Sequence, residues 1–260
     1  MELNIIKVGG NIIDDESKLK AFLKVFSVLE GYKILVHGGG KVASEIGLKL
    51  GIEPAYVNGR RITDKTTLDL VTMVYGGLIN KNIVALLQAA GCNAIGLTGA
   101  DGSVLPASRR TVMDIDYGYV GDVQSDKVNT GLIKLLLYNG LVPVFSPLTH
   151  DGNGSMLNTN ADTIAQEIAK AMAAVMPVQL IYCFEKRGVL IDAADESSVI
   201  NRISEKDFSE LKEKEIISGG MIPKLENAFA AIEKGVSRVI IGHADELGAL
   251  VTGNAGTWIV

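Results

Sequence analysis

Twice near its start the chain runs from an apolar stretch into glycines with a lysine at hand: KVGGN at 7–11 and VHGGGK at 36–41. Glycine leaves the backbone N–H groups open to a ligand, and a helix that opens behind such a turn aims its unpaired amides the same way, a setting for phosphate or carboxylate. Either break alone reads equally well as a tight strand-to-helix turn. Further on, NGRRITD at 58–64 sets two arginines after an Asn-Gly turn. A guanidinium in that posture can clamp a carboxylate through paired hydrogen bonds, although a solvated pair of charges looks the same. LNTNAD at 157–162 precedes a helical stretch, where its Asn and Asp residues would ordinarily be N-caps. SGGMIPKLENA at 218–228 breaks on glycines again and places Lys224 in the first turns of a helix, where a surface lysine is the default.

The familiar phosphate and nucleotide motifs fit poorly. Nothing matches GxxxxGK[ST], which excludes a P-loop. Gly38, Gly40 and Ala43 satisfy a loose GxGxxA after a strand, but about 20 residues on, where a dinucleotide fold wants an acid, stand Asn58, Gly59 and Arg60. An NAD(P)-dependent oxidoreductase therefore stands only as an alternative. A formal net charge of -5 gives no basic stripe for nucleic acid or an anionic membrane, so an anionic ligand must be met by local cations and amides. Cys92 and Cys183 lie far apart inside apolar runs, as reduced, buried thiols do. MELNIIKVGG is not a basic leader, and no apolar run approaches the roughly 20 residues of a spanning helix, so a cytoplasmic protein is expected.

The elements that must position these groups are legible from periodicity. With 260 residues, 47% hydrophobic content and a mean hydropathy of +0.26, the chain can bury a sizeable core. Runs at 3–8, 32–37, 92–97, 141–146, 178–183 and 237–242 are short, rich in Val, Ile and Leu, and apolar on both faces, the mark of parallel strands covered on both sides. Helical stretches at 16–30, 40–50, 64–90, 129–139, 160–174, 204–213 and 221–234 alternate with them. The pattern predicts an α/β, three-layer αβα sandwich with a mainly parallel central sheet. PAYVNGRRIT and YGYVGDVQSD look like hairpins set against it. The helix end and strand start around 171–177 are the best lobe boundary, giving lobes 1–176 and 177–260. Ligands of such sheets bind outside the carboxyl ends of the strands, so the glycine breaks after the first two strands build one site.

Taken together, KVGGN, VHGGGK, NGRRIT, LNTNAD and GGMIPK resemble, in order and over essentially the whole chain, the amino acid kinase family, in the branch that phosphorylates N-acetyl-L-glutamate. The combination of NGRRIT with NTNAD separates that branch from similar folds acting on aspartate, carbamate or UMP. The resemblance implies an N-terminal lobe for the acylated amino acid, a C-terminal lobe for ATP with Mg2+, and transfer of the γ-phosphoryl of ATP to the γ-carboxylate of N-acetyl-L-glutamate, or of another N-acyl-L-glutamate such as N-succinyl, in arginine synthesis. It further implies that Lys7 lies on the transferring phosphoryl group, that Lys224 helps on the leaving side, and that Asp162 holds the two lysines. Gly9, Gly10 and Gly39 would serve the phosphoryl group, Gly10 and Gly39 through backbone N–H groups. Arg61, rather than Arg60, would grip the α-carboxylate, with Asn158, Asn160 and the Gly38–Gly39 backbone contributing to the acylamino acid site. No residue is implied as a metal ligand. A non-catalytic amino-acid sensor on the same fold is a further alternative, against which the joint presence of Lys7, Asp162 and Lys224 argues.

One departure stands out: YCFEKRGVL at 182–190 places Phe184 where family members carry an acidic residue after a Thr or Ser, which leaves the adenine and ribose contacts open. His37, beside the glycines, suits an orienting or packing role, while His150 and His243 suit loop hydrogen bonding. Arginine-inhibited members carry an additional N-terminal helix that links dimers into a hexamer. Here only Met1 and Glu2 precede the first strand, so a homodimer insensitive to arginine is expected, joined through the apolar helix at 64–90.

Overall fold

The structure, a computed structural model, describes residues 2–192, 194–214, 216–217 and 221–260, without the side chain at 223. Its organising element is β1, Leu3–Val8, whose residues alternate between two cores. Leu3 and Ile5 pack into one apolar cluster, Ile6 and Val8 into the other, on the opposite face. The period of two along a strand thus buries both faces and sets Lys7 on the same face as Leu3 and Ile5.

The other strands of the sheet are β2 (Tyr32–His37), β3 (Ala94–Leu97), β4 (Val142–Phe145), β5 (Val178–Phe184), β6 (Arg202–Ile203), β7 (Arg238–His243) and β8 (Thr257–Ile259). They lie in the order β6-β8-β7-β5-β1-β2-β4-β3 and pair in parallel, except that β7 and β8 are antiparallel. Six residue pairs join β5 to β1, from Leu3–Val178 to Val8–Cys183, so the sheet is continuous across the expected boundary at 176 and 177. The strand positions read from the sequence are matched to within about two residues, as are the helices Gly40–Lys49, Thr130–Tyr138, Ala161–Ala173 and Glu205–Glu213.

Two expectations are corrected. PAYVNGRRIT does form a hairpin, Tyr56–Val57 against Arg60–Arg61, on a turn with positive φ at both Asn58 and Gly59. YGYVGDVQSD does not. Its Gly121–Val123 pairs with Ala107–Arg109, while Tyr117 and Tyr119 exchange backbone bonds with Thr63, and Tyr119 accepts from Asn158 N–H. A peptide group bonded outward in this way cannot pair with its own return strand. The stretch instead stitches the arginine hairpin to the Asn158 segment.

The second correction concerns length and hydropathy. Lys65–Ala89 is a single helix of 25 residues, long and apolar enough by composition to cross a membrane, because short apolar runs that polar residues separate in the sequence join in one element. Its Leu68, Leu70, Val71, Val74, Tyr75, Ile79, Ile83 and Leu87 are buried in the core behind β1 and β2, which accounts for much of that hydropathy. Met73 and Leu78 are exposed. Within it Thr72–Ile79 winds as a π-helix, so the turn carries an extra residue and redirects the side chains that follow.

Candidate active site

The carboxyl ends of β1 and β2 open on a cavity of about 580 Å³. Lys7, Arg60, Arg61, Arg110 and Lys224 all line it, whereas Asp162 is the single acidic side chain among the described lining residues. That excess of cationic over acidic lining, in a chain of net negative charge, makes this an anion site.

Lys7 reaches the cavity because of its face on β1, which packs on the helix Ala161–Ala173 through Ile164 and Ile168. That helix is capped by Asn160, whose side chain accepts from the N–H groups of Asp162 and Thr163. The cap sets Asp162 in the first turn, and its Oδ1 lies 2.7 Å from Lys7 Nζ. Gly9 is next to the pair: a Cβ there would stand 3.5 Å from Lys7 Nζ. Gly10 opens the short helix Gly10–Ile13, and Gly39 caps Gly40–Lys49. Gly39 has φ +146, and a Cβ there would come within 2.3 Å of Ile79 Cδ1, so no other residue fits. Neither the Gly10 nor the Gly39 N–H donates to an acceptor among the described residues.

Lys224 enters from the opposite side on Met221–Glu233. The glycines at 219 and 220, part of the third glycine break, lie outside the described residues. Gln166 donates to the Asn227 carbonyl at 2.7 Å, tying this helix to the one that carries Asp162. Lys224 Nζ stands 4.7 Å over the ring of Phe184, the last residue of β5. Burial holds its ammonium below the usual lysine range, opposed by the Asp162 carboxylate and assisted by the Lys7 charge.

Arg61 forms the far wall. It is buried, while Arg60 beside it is exposed. One terminal nitrogen lies within hydrogen-bonding distance of Gly40 O at 2.8 Å, Ser44 Oγ at 2.7 Å and the Tyr56 hydroxyl, which share its two N–H groups, and the guanidinium lies 4.8 Å over the Tyr56 ring. These contacts hold the fork while leaving its other donors for a ligand. Asn158 donates to Thr63 Oγ1 at 3.0 Å, and Gly38, Asn158 and Asn160 all line the cavity. Every residue singled out in the sequence for this chemistry therefore borders one space. Arg61's partners Ser44 and Tyr56, and the ion-paired Arg110 and Asp122, were not anticipated. Tyr56 could have been suspected from its place in the arginine hairpin; Arg110 carries no signal of its own. His150 and His243 each accept a loop N–H, from Gly152 and Asp245.

No group of three His, Cys, Asp or Glu among the described residues could hold a metal ion. With Asp162 engaged by Lys7, the described lining of the cavity offers little to a hard cation, which would have to arrive on a polyphosphate.

An anion cavity at the carboxyl ends of a mainly parallel sheet, with lysines from two sides and a carboxylate paired with one of them, defines a phosphoryl-transfer protein rather than a dinucleotide one. The chain belongs to the amino acid kinase family, whose model matches residues 2–243. It is 60% identical over 246 residues to an acetylglutamate kinase of Phocaeicola vulgatus, covering 95% of both chains. Among solved structures, a Streptococcus mutans UA159 protein superposes with a TM-score of 0.75 at 29% identity, over 99% of this chain and 98% of that one. The carbamate kinase of Giardia lamblia bound to AMP-PNP shares the fold alone, with a TM-score of 0.68 at 16% identity over 100% and 98% of the two chains.

Proposed function

We propose that the chain is an acetylglutamate kinase that moves the γ-phosphoryl group of ATP to the γ-carboxylate of N-acetyl-L-glutamate. The observation that carries this reading is the Lys7–Asp162 pair at 2.7 Å, in a cavity that also holds Lys224 and, across from them, the immobilised Arg61. Relatives at this identity with the same name support the acceptor.

A side-chain carboxyl with an ordinary pKa of about 4.3 is already an anion at neutral pH, so the nucleophile needs no general base. What it needs is relief from repulsion by the triphosphate and compensation of charge on the group in flight. Lys7 and the amides of Gly10 and Gly39 supply that on the transferring phosphoryl group, Gly9 leaving room for the approach, and Lys224 supplies it toward the leaving ADP. Asp162 holds the two ammonium groups in place. Arg61 takes the α-carboxylate, with Asn158, Asn160 and the Gly38–Gly39 backbone around the acylamino group. Mg2+ would enter with ATP and neutralise phosphate charge.

The acylamino acid binds on the side of residues 1–176 and the nucleotide on that of 177–260. The enzyme works in the cytoplasm, as a homodimer, in arginine synthesis. The test is ADP release with N-acetyl-L-glutamate, N-succinyl-L-glutamate, glutamate and aspartate in parallel. Turnover with an N-acylglutamate alone sustains the reading, and the faster of the two names the acyl group. Turnover confined to glutamate or aspartate, or dependent on NAD(P)H, overturns it.

A further inference from the structure

His37 is fully buried at the end of β2, yet its ring reaches the cavity through one peptide group. Its Nδ1 lies 2.7 Å from the Gly38 carbonyl oxygen, and its Nε2 lies 3.2 Å from Nδ2 of Asn80. Asn80 is also buried. The same Nδ2 donates to the Val144 carbonyl at 3.0 Å, while Asn80 Oδ1 accepts from Lys81 Nζ at 3.2 Å. Turning the amide over would face its NH2 toward an ammonium and its oxygen toward a carbonyl, so these two neighbours set its orientation. Nε2 of His37 must then accept, which leaves the ring proton on Nδ1, donating to Gly38.

Gly38 is thereby held on both sides, and the peptide joining it to Gly39 is fixed through its carbonyl. Gly38 N–H donates to Val8 O at 3.1 Å, and Gly38 C=O is taken by His37. In a trans peptide the C=O and the next N–H point in opposite directions, so drawing the carbonyl toward His37 turns the Gly39 N–H away from it, on the side where Gly39 borders the cavity. Between two glycines such a peptide would otherwise rotate at little steric cost. The π-helical turn explains how Asn80 comes to be there. Ile79, its last residue, fills the space against Gly39, and Asn80 follows it within hydrogen-bonding distance of the Nε2 edge of His37.

We propose that His37 and Asn80 are positioning residues that hold the Gly39 amide aimed at the transferring phosphoryl group, a role that rests on the phosphoryl-transfer reading of this cavity. An amide that meets charge as it develops acts on turnover more than on acceptor binding.

The experiment combines kinetics with the Gly39 amide resonance of 15N-glycine-labelled enzyme titrated with AMP-PNP and Mg2+. In His37→Asn the amide nitrogen can stand close to the place of Nδ1, so kcat is expected within about fivefold of wild type. In His37→Gln, and in Asn80→Ala, kcat should fall roughly 10- to 100-fold, part of the loss seen when an oxyanion donor is removed, with KM for the acylglutamate changed about threefold or less. AMP-PNP should move the Gly39 proton downfield in wild type and His37→Asn and leave it nearly still in His37→Gln. Equal shifts in His37→Gln and wild type, or kcat losses that follow only the fall in Tm across all three variants, overturn the proposal. Absence of turnover with any acylglutamate, with the His37-dependent Gly39 shift intact, would instead overturn the acceptor assignment while upholding the positioning role.

Discussion

Lys7 Nζ and Asp162 Oδ1 stand 2.7 Å apart although they are separated by most of the chain, one near the end of the central strand and the other in the first turn of a helix packed on it. The pair is partly shielded, so its charges act on a ligand with little screening. Lys7→Ala should lower kcat by about 100-fold or more with a smaller change in either KM, the scale for losing one electrostatic stabiliser. Steady-state ADP release checks this. Wild-type turnover in Lys7→Ala would remove the lysine from the mechanism.

Lys224 is held below the usual lysine range by burial, and the role proposed for it toward the leaving phosphate requires its charge. The pH profile of kcat should therefore fall on the alkaline side, below the ordinary lysine pKa of about 10.4. Lys224→Arg, which keeps its charge at any pH reached, should shift that limb upward even where its maximum rate is lower. An unmoved limb would assign the titration to another group.

Arg61→Ala should act differently, raising KM for the acylglutamate roughly 10- to 100-fold with kcat less affected, because a carboxylate clamp serves ground and transition states alike. Tyr56→Phe, which keeps the stacked ring but removes the hydroxyl bonded to Arg61 and Ser44, should raise KM only a few-fold. A kcat effect without a KM effect in Arg61→Ala would place the arginine elsewhere in the reaction.

How much of this could be read beforehand depended on what each residue answers to. The strands of the central sheet are buried on both faces, so Leu3–Val8 and Tyr32–His37 announce themselves by composition. The two-residue β6 and three-residue β8 are too short to show any period. Lys7, Asp162 and Lys224 were legible only through the resemblance that the motifs carry together; taken alone, Lys224 reads as a surface lysine and Asp162 as part of a helix cap. Ser44, Arg110 and Asp122 did not, since their importance arises only when separate segments fold against Arg61 and the cavity. The π winding of Thr72–Ile79 is likewise invisible, because the same apolar residues suit an ordinary α-helix.

His37 offers a stability test that needs no assay of activity. Burial lowers its pKa from 6.5 to about 4, with the Lys81 charge adding to the effect and the Gly38 hydrogen bond opposing it. In the unfolded chain the ring titrates near 6.5, so between that pH and about 4 the unfolded state binds more protons and folding stability falls as pH falls. The full loss is about 3 kcal/mol at the acid end, and none is present above the unfolded pKa. Urea unfolding of wild type and His37→Asn at pH 7 and pH 4.5 should show a smaller acid loss in the variant. Equal losses would mean that the ring is not buried as a neutral group.

The long helix Lys65–Ala89 leaves Met73 and Leu78 exposed, which suits a second copy of the chain as partner. Light scattering coupled to gel filtration should give a dimer mass, and Met73→Glu with Leu78→Glu should shift it toward the monomer. A wild-type monomer, or a hexamer, would contradict this assembly.

Phosphorylation of a carboxylate leaves an acyl phosphate, and trapping that product tests the reaction directly. An acyl phosphate reacts with hydroxylamine to give a hydroxamate, which can be counted against the ADP formed in the same tube. With N-acetyl-L-glutamate and MgATP the account predicts one hydroxamate per ADP, both lost together in Lys7→Ala. ADP formed without hydroxamate, or hydroxamate formed as fast by Lys7→Ala as by the wild type, would contradict it.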